Sequence, residues 1–173
     1  MDIKIRNEKK DDYNDIRNIN ELAFNQKNEG KLVDDLRKKS DFNHLFSLVA
    51  ETKGRIVGHI LSYPIKIKNE KEEFIVLSLA PMAVHPDFQN KGIGSKLIKR
   101  GLEAAKKTGY NAVIVVGHSN YYPRFGFSPA SKWNIKLPIE CPDDVFLAIE
   151  LKKDSLKNVS GLVEFPKEYY DCM

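Results

Sequence analysis

Residues 87–101 read DFQNKGIGSKLIKRG and follow directly on the apolar run FIVLSLAPMAVHP (Phe74–Pro86). Past Gly92, the residues Ile93, Leu97, Ile98, Leu102 and Ala105 recur at helical spacing. Lys96, Lys99, Arg100, Lys106 and Lys107 fall outside that stripe. The pattern predicts a strand, a tight glycine loop and an amphipathic helix that runs to about Thr108 and stops at Gly109. A helix N-terminus presents unpaired N–H groups and the positive end of a dipole, and glycine lets an anion approach the backbone. Two phosphate-binding motifs do not fit. A dinucleotide fingerprint needs a third glycine where Leu97 stands, and a P-loop needs the order Gly-Lys-Ser/Thr where the chain has Gly94-Ser95-Lys96. What remains is Gln89-x-x-Gly92-x-Gly94.

The flanking sequence frames this loop. NAVIVVG (Asn111–Gly117) is a buried strand of the length that follows a crossover helix, so strand, helix and strand form a right-handed βαβ unit. On the other side, SLVAET (Ser47–Thr52) and RIVGHILSYPIKI (Arg55–Ile67) pair as a hairpin about Lys53-Gly54. A turn at residues 68–71 leads into the Phe74–Pro86 run, whose two apolar faces place it centrally in a sheet. Ile3 and Ile5 mark a short first strand. Tyr13, Ile16, Ile19, Leu22 and Ala23 mark a helix from about Asp11 to Phe24, Asn25–Gly30 reads as a break, and Leu32, Val33 and Leu36 suggest a second short helix. NYYPRFGF (Asn120–Phe127) reads as a helical turn ending at Gly126 with a strand starting at Phe127, and VFLAIELK (Val145–Lys152) is one more strand. The Lys- and Glu-rich tail after Lys152 has no readable period.

Composition narrows the class. A chain of 173 residues, 42% of them hydrophobic, is long enough for one compact domain with a real core. The net charge of +4 is spread over scattered lysines, with no basic block or basic–aromatic motif, so a nucleic-acid-binding module is disfavoured. Cys141 and Cys172 lack metal-ligand spacing and have no clustered histidines, so no metal site is expected. The charged start MDIKIRNEKKDD has no signal-peptide pattern, and no apolar run reaches the ~20 residues of a membrane span. A soluble, cytoplasmic protein with reduced thiols is expected.

Gln89-Asn90-Lys91-Gly92-Ile93-Gly94, preceded by MAVHPDF and followed by SKLI, resembles the acetyl-CoA-binding signature [RQ]-x-x-G-x-[GA] of the GNAT (Gcn5-related) N-acetyltransferases. YYPRFGF (Tyr121–Phe127) resembles that family's later aromatic turn ending in Gly-Phe, and the order of elements from Ile3 to about Leu151 follows its fold. The resemblance implies an α/β fold: a mixed, mostly antiparallel central sheet with a splayed central pair of parallel strands and helices on both faces. It implies a single N-acetyltransferase domain over residues 1–173, with a core of about 3–151 and an extension at 152–173. Pro81, which cannot donate a ladder hydrogen bond, either marks the bulge that the family carries in its central strand or shows that the strand begins later.

The implied reaction moves the acetyl group of acetyl-CoA to a primary amine by direct attack in a ternary complex. Such chemistry needs a neutral amine, a stabilised carbonyl oxygen and a proton for the leaving thiolate. By resemblance, the backbone of Met82, Ala83 and Val84 binds the pantetheine arm, and Gln89, Asn90, Lys91, Gly92, Ile93, Gly94 and Ser95 hold the pyrophosphate. Tyr122 matches the tyrosine that many members use as general acid toward the cofactor's thiolate, which also makes it a cofactor contact, or is a packing aromatic beside Tyr121 and Phe125. His59, His85 and His118 titrate in the range useful for a base, His118 being best placed, and Glu51 is a further candidate. Asn120 contacts the cofactor arm or caps the following turn. The commoner Asn of the family would fall at Val115. Lys91 and Lys96 reach the phosphates or are surface lysines. A non-catalytic acyl-CoA-binding or sensor domain is the alternative function. The amine acceptor, a small molecule or a peptide, is not legible, and a homodimer is possible for the family.

Overall fold

The computed structural model describes residues 1–172. Its elements are β1 (Lys4–Asn7), α1 (Tyr13–Phe24), α2 (Asn28–Arg37), β2 (Ser47–Thr52), β3 (Arg55–Lys68), β4 (Glu73–Val84), α3 (Ile93–Lys107), β5 (Ala112–Val116), β6 (Ser128–Pro129), β7 (Ile135–Lys136), β8 (Phe146–Glu150) and β9 (Gly161–Glu164), with short 3-10 turns between several of them. The strands follow the order β1-β2-β3-β4-β5-β8-β6, and β9 pairs with β3 and β7. Antiparallel ladders dominate the sheet. The βαβ crossover makes β4 and β5 parallel through two pairs, Leu77 with Val113 and Ser78 with Ile114. β4 runs unbroken through Pro81, so the alternative of a strand beginning after the proline does not hold.

The chain forms two compact units. The first holds residues 1–63 and 80–104 and the C-terminal turn from Lys167; the second holds 64–79 and 105–166. In the first, α3 lies close over β3. A side chain at Gly58 would meet Leu97 Cδ1 at 3.0 Å and Ile93 Cγ2 at 3.2 Å, and Ile60 Cδ1 approaches Gly101. Ile93, Leu97 and Ile98 are fully buried in consequence, as their spacing predicts. α2 begins at Asn28, two residues before the predicted break ends. Gly30 is buried against the backbone of Arg17, so packing overrides its weak helix propensity. Arg37 joins the N-terminal elements: it donates to Glu8 and Asp34 at 2.9 Å each and lies 3.7 Å from the Tyr13 ring centroid.

In the second unit the charged tail acquires its structure. β9 pairs with the end of β3, setting Lys66 opposite Glu164 and Lys68 opposite Leu162. Lys66–Glu73 and Lys68–Glu164 are ion pairs at 2.9 Å. Glu164 is the charged residue of β9, and it lies on the solvated face of the ladder with Lys66 and Lys68. The strand expected from Phe127 shrinks to Ser128–Pro129, where it pairs with Leu147 and Ala148 of β8.

His59 is sealed in the first unit's core. Asn20 Nδ2 lies 3.4 Å from its Nδ1 and donates, so Nε2 carries the proton and donates to Ser47 Oγ at 3.0 Å. Burial first, and the charge of Arg37 second, push its pKa down to about 3. The folded protein therefore leaves His59 neutral at pH values where the unfolded chain protonates it. This contribution to stability is full above about pH 6.5 and falls by about 1.4 kcal/mol per pH unit as the pH drops toward 3. In urea titrations between pH 7 and 4, His59→Gln is expected to remove one proton's worth of this slope; an unaltered slope would refute the assignment.

Candidate functional site

β4 ends at Val84, and the His85 N–H donates to Val57 O at 2.9 Å, which ties the strand exit to β3. A 3-10 turn follows over Pro86–Phe88, with Asp87 N donating to His85 Nδ1 at 3.1 Å. The Phe88 ring packs edge-on to His85, with the Arg55 guanidinium 5.3 Å and the Lys91 ammonium 5.6 Å from its centroid. Gln89 turns back and donates from Nε2 to Val84 O at 3.1 Å, closing the loop onto the strand it leaves. Asn90 (φ 62°) and Gly92 (φ 80°) then bend the backbone through the left-handed region, and α3 begins at Ile93.

The result is a cup for an anion. Lys96 N–H makes the first helical bond, to Gly92 O at 3.2 Å, so the N–H groups of Ile93 and Gly94 have no helical acceptor. The first turn of α3 holds no acidic residue. A Cβ on Gly92 would have no atom within 4 Å, so the space above the loop is open and its glycine is required by φ alone. Free donors, the dipole and a first helical turn without acidic residues suit a phosphate or pyrophosphate group. Ile93 contributes only its backbone, because its side chain is buried.

The second unit carries the aromatic turn. β5 ends at Val116, and the Gly117 N–H donates to Val145 O at 2.9 Å. His118 O accepts from the N–H groups of Tyr121 at 3.1 Å and Tyr122 at 3.4 Å, and a 3-10 turn over Tyr122–Phe125 follows. Tyr122 is buried with its ring edge-on to Tyr121 (5.3 Å) and Phe127 (5.6 Å). Burial, aided by Tyr121, pushes its phenol up to about 12, so it keeps its proton through the neutral and alkaline range. Asn120 does not cap this turn with its side chain: Tyr121 occupies the N-cap position, while Asn120 O accepts from Arg124 at 3.4 Å. His118 and Asn120 are exposed at the start of the turn.

The candidate residues thus divide. Met82, Ala83, Val84 and the stretch Gln89–Ser95 lie in the first unit, and His118, Asn120 and Tyr122 lie in the second. His59, a possible base by sequence, is sealed in the core. His85 is engaged by the Asp87 N–H and Arg55, and Glu51 accepts from Arg6 at 2.7 Å. Sequence reasoning missed the bond from Gln89 to Val84, which depends on a side-chain conformation that no spacing encodes. Among the described residues, no cluster of His, Cys, Asp and Glu is arranged to hold a metal, and no helix is long and apolar enough to cross a membrane.

A βαβ crossover that delivers an open helix N-terminus, with an aromatic turn after the next strand, is the arrangement of an acyl-CoA N-acyltransferase fold. Residues 4–130 match the family model described as Acetyltransferase (GNAT) domain. This chain belongs to the GNAT family. An uncharacterized N-acetyltransferase of Escherichia coli K12, YjhQ, is 38% identical over 122 residues, which cover 70% of this chain and 67% of YjhQ. The crystal structure of E. coli YhbS, a GNAT family N-acetyltransferase in complex with CoA, superposes with a TM-score of 0.89 at 28% identity, covering 97% of this chain and 92% of that one. A GNAT family acetyltransferase from Brucella melitensis in complex with acetyl-CoA gives a TM-score of 0.79 at 30% identity, covering 97% and 98%.

If φ alone requires glycine at position 92, Gly92→Ala should cost about 1 kcal/mol in chemical denaturation, the strain of a left-handed alanine, with no packing loss. A neutral result would mean that the loop relaxes freely.

Proposed function

We propose that this protein is an acetyl-CoA-dependent N-acetyltransferase that acetylates a primary amine by direct attack in a ternary complex. The observation that carries the reading is the open, acid-free N-terminus of α3 behind a loop bent at Asn90 and Gly92. The CoA and acetyl-CoA complexes of the two similar structures support it. The cofactor supplies an acetyl group activated as a thioester. Gln89, Asn90, Lys91, Gly92, Ile93, Gly94 and Ser95 hold its pyrophosphate, chiefly through backbone N–H groups, and Gln89 stiffens the loop from behind. The backbone of Met82, Ala83 and Val84 binds the pantetheine arm, which Asn120 also contacts.

The protons then follow the available groups. His118, the one histidine between residues 105 and 166, takes the proton from the attacking amine. The Tyr122 hydroxyl gives its proton to the departing sulfur, so the products are an amide and a neutral thiol. Burial keeps the phenol protonated, so the donor form is present when the thiolate departs, and solvent returns its proton after each turnover. Both thiols are poor nucleophiles. Burial raises Cys141 and pushes Cys172 up to about 11, which supports direct transfer without an acyl-cysteine.

In calorimetric titrations with CoA, a Gly92→Glu, Gly94→Glu double variant is expected to lose at least about tenfold in affinity, since two carboxylates oppose the helix dipole; full retention would remove the loop assignment. In a CoA-release assay with an amine panel, Tyr122→Phe should lower kcat about 10²-fold. The parent should show no Tyr122-dependent alkaline decline up to pH 10, because the protonated, active form persists toward 12. An unchanged kcat in Tyr122→Phe would take the tyrosine out of the mechanism.

A further inference from the structure

Gly117 stands between β5 and the aromatic turn, and its φ lies outside the left-handed region, so no left-handed backbone calls for glycine there. What the position excludes is a side chain. A Cβ there would lie 2.3 Å from Cε2, 2.9 Å from Cδ2 and 3.3 Å from Cζ of Tyr122, inside the van der Waals envelope of the ring. The ring has little freedom to yield. Tyr121 and Phe127 flank it edge-on. Its own backbone is held by the carbonyl of His118, and Gly117 is held by its bond to Val145 O. The phenol is therefore seated on a bare stretch of main chain, with aromatic rings at its sides.

We infer that Gly117 is a positioning residue for Tyr122: the missing side chain is the seat that fixes where the phenol hydroxyl lies. The inference rests on the proposed proton donation by Tyr122, but the contact itself is measurable without it. An alanine at 117 must move the ring, and displacement of a donor by an ångström is enough to cost about 10²-fold in rate. Cofactor binding rests, in that reading, mainly on the Met82–Val84 backbone and the Gln89–Ser95 loop of the other unit, and only the Asn120 contact lies near position 117.

The test is a mutant cycle read in three ways. Gly117→Ala should lower kcat at least about tenfold, with a much smaller change in KM for acetyl-CoA. In a Tyr122→Phe background the same substitution should lower kcat no further, because the hydroxyl it misplaces is gone. In protein carrying isotope-labelled tyrosine, the Cζ resonance that disappears in Tyr122→Phe should shift in Gly117→Ala and titrate at lower pH as the phenol meets water. Where Gly117→Ala folds poorly, the thermal cycle decides: alanine at 117 should lower Tm in the parent and leave it unchanged in a Tyr122→Ala background, where the ring is absent. An unmoved Cζ resonance, or an equal Tm loss in both backgrounds, would overturn the inference. If Tyr122→Phe retains full activity while the resonance and Tm cycles behave as expected, the seat stands and only the proton-donor reading falls.

Discussion

The close approach of α3 to β3 is the contact on which the functional loop depends. Ile93 and Leu97 press into the space that Gly58 leaves on the strand, so the helix is anchored at its first turn. A helix end is where fraying begins, yet an anion site needs that end rigid and its N–H groups unspent. Burying Ile93 achieves both. The side chain fixes the first turn from below while the backbone donors stay free above it. The bonds from His85 N–H to Val57 O and from Gln89 to Val84 O fix the other end of the loop, so both ends refer to β3.

Polar groups in the interior do a different kind of work. Arg37, with a side chain only 9% exposed, holds Glu8 and Asp34 together over the Tyr13 ring. Such a pair adds little net stability after desolvation, but it penalises any packing of α1 and α2 that leaves a charge unmatched. His59, Ser47 and Asn20 act likewise, since only one tautomer of the imidazole satisfies both neighbours. These groups select one arrangement of helices on the strands, and they place no titrating base where the proposed chemistry occurs.

Much of this was legible in the residues because it is local. The amphipathic stripe of α3, the two-faced apolar run of β4 and the glycine loop between them each obey a short period or a backbone rule. The α2 boundary and β9 were not legible. Gly30 argued against a helix that packing against Arg17 sustains, and the short β9 has no readable period of its own and exists through its pairing with β3 and β7. For the candidate site the division is similar. Residue types and order pointed to Gln89–Ser95 and to Tyr122, but three of the four possible bases, His59, His85 and Glu51, turned out to be occupied by partners far away in sequence or by a local cap.

The sequence by itself determined the order of elements, the parallel crossover and the chemical character of the loop, because periodicity, glycine and helix polarity act over a few residues. Only the tertiary structure decided which titratable groups are sealed, which donors remain free and why position 117 bears no side chain. Those properties depend on atoms brought together from distant or differently folded segments. Desolvation and steric exclusion are set by that shared space, and no single stretch of sequence contains it.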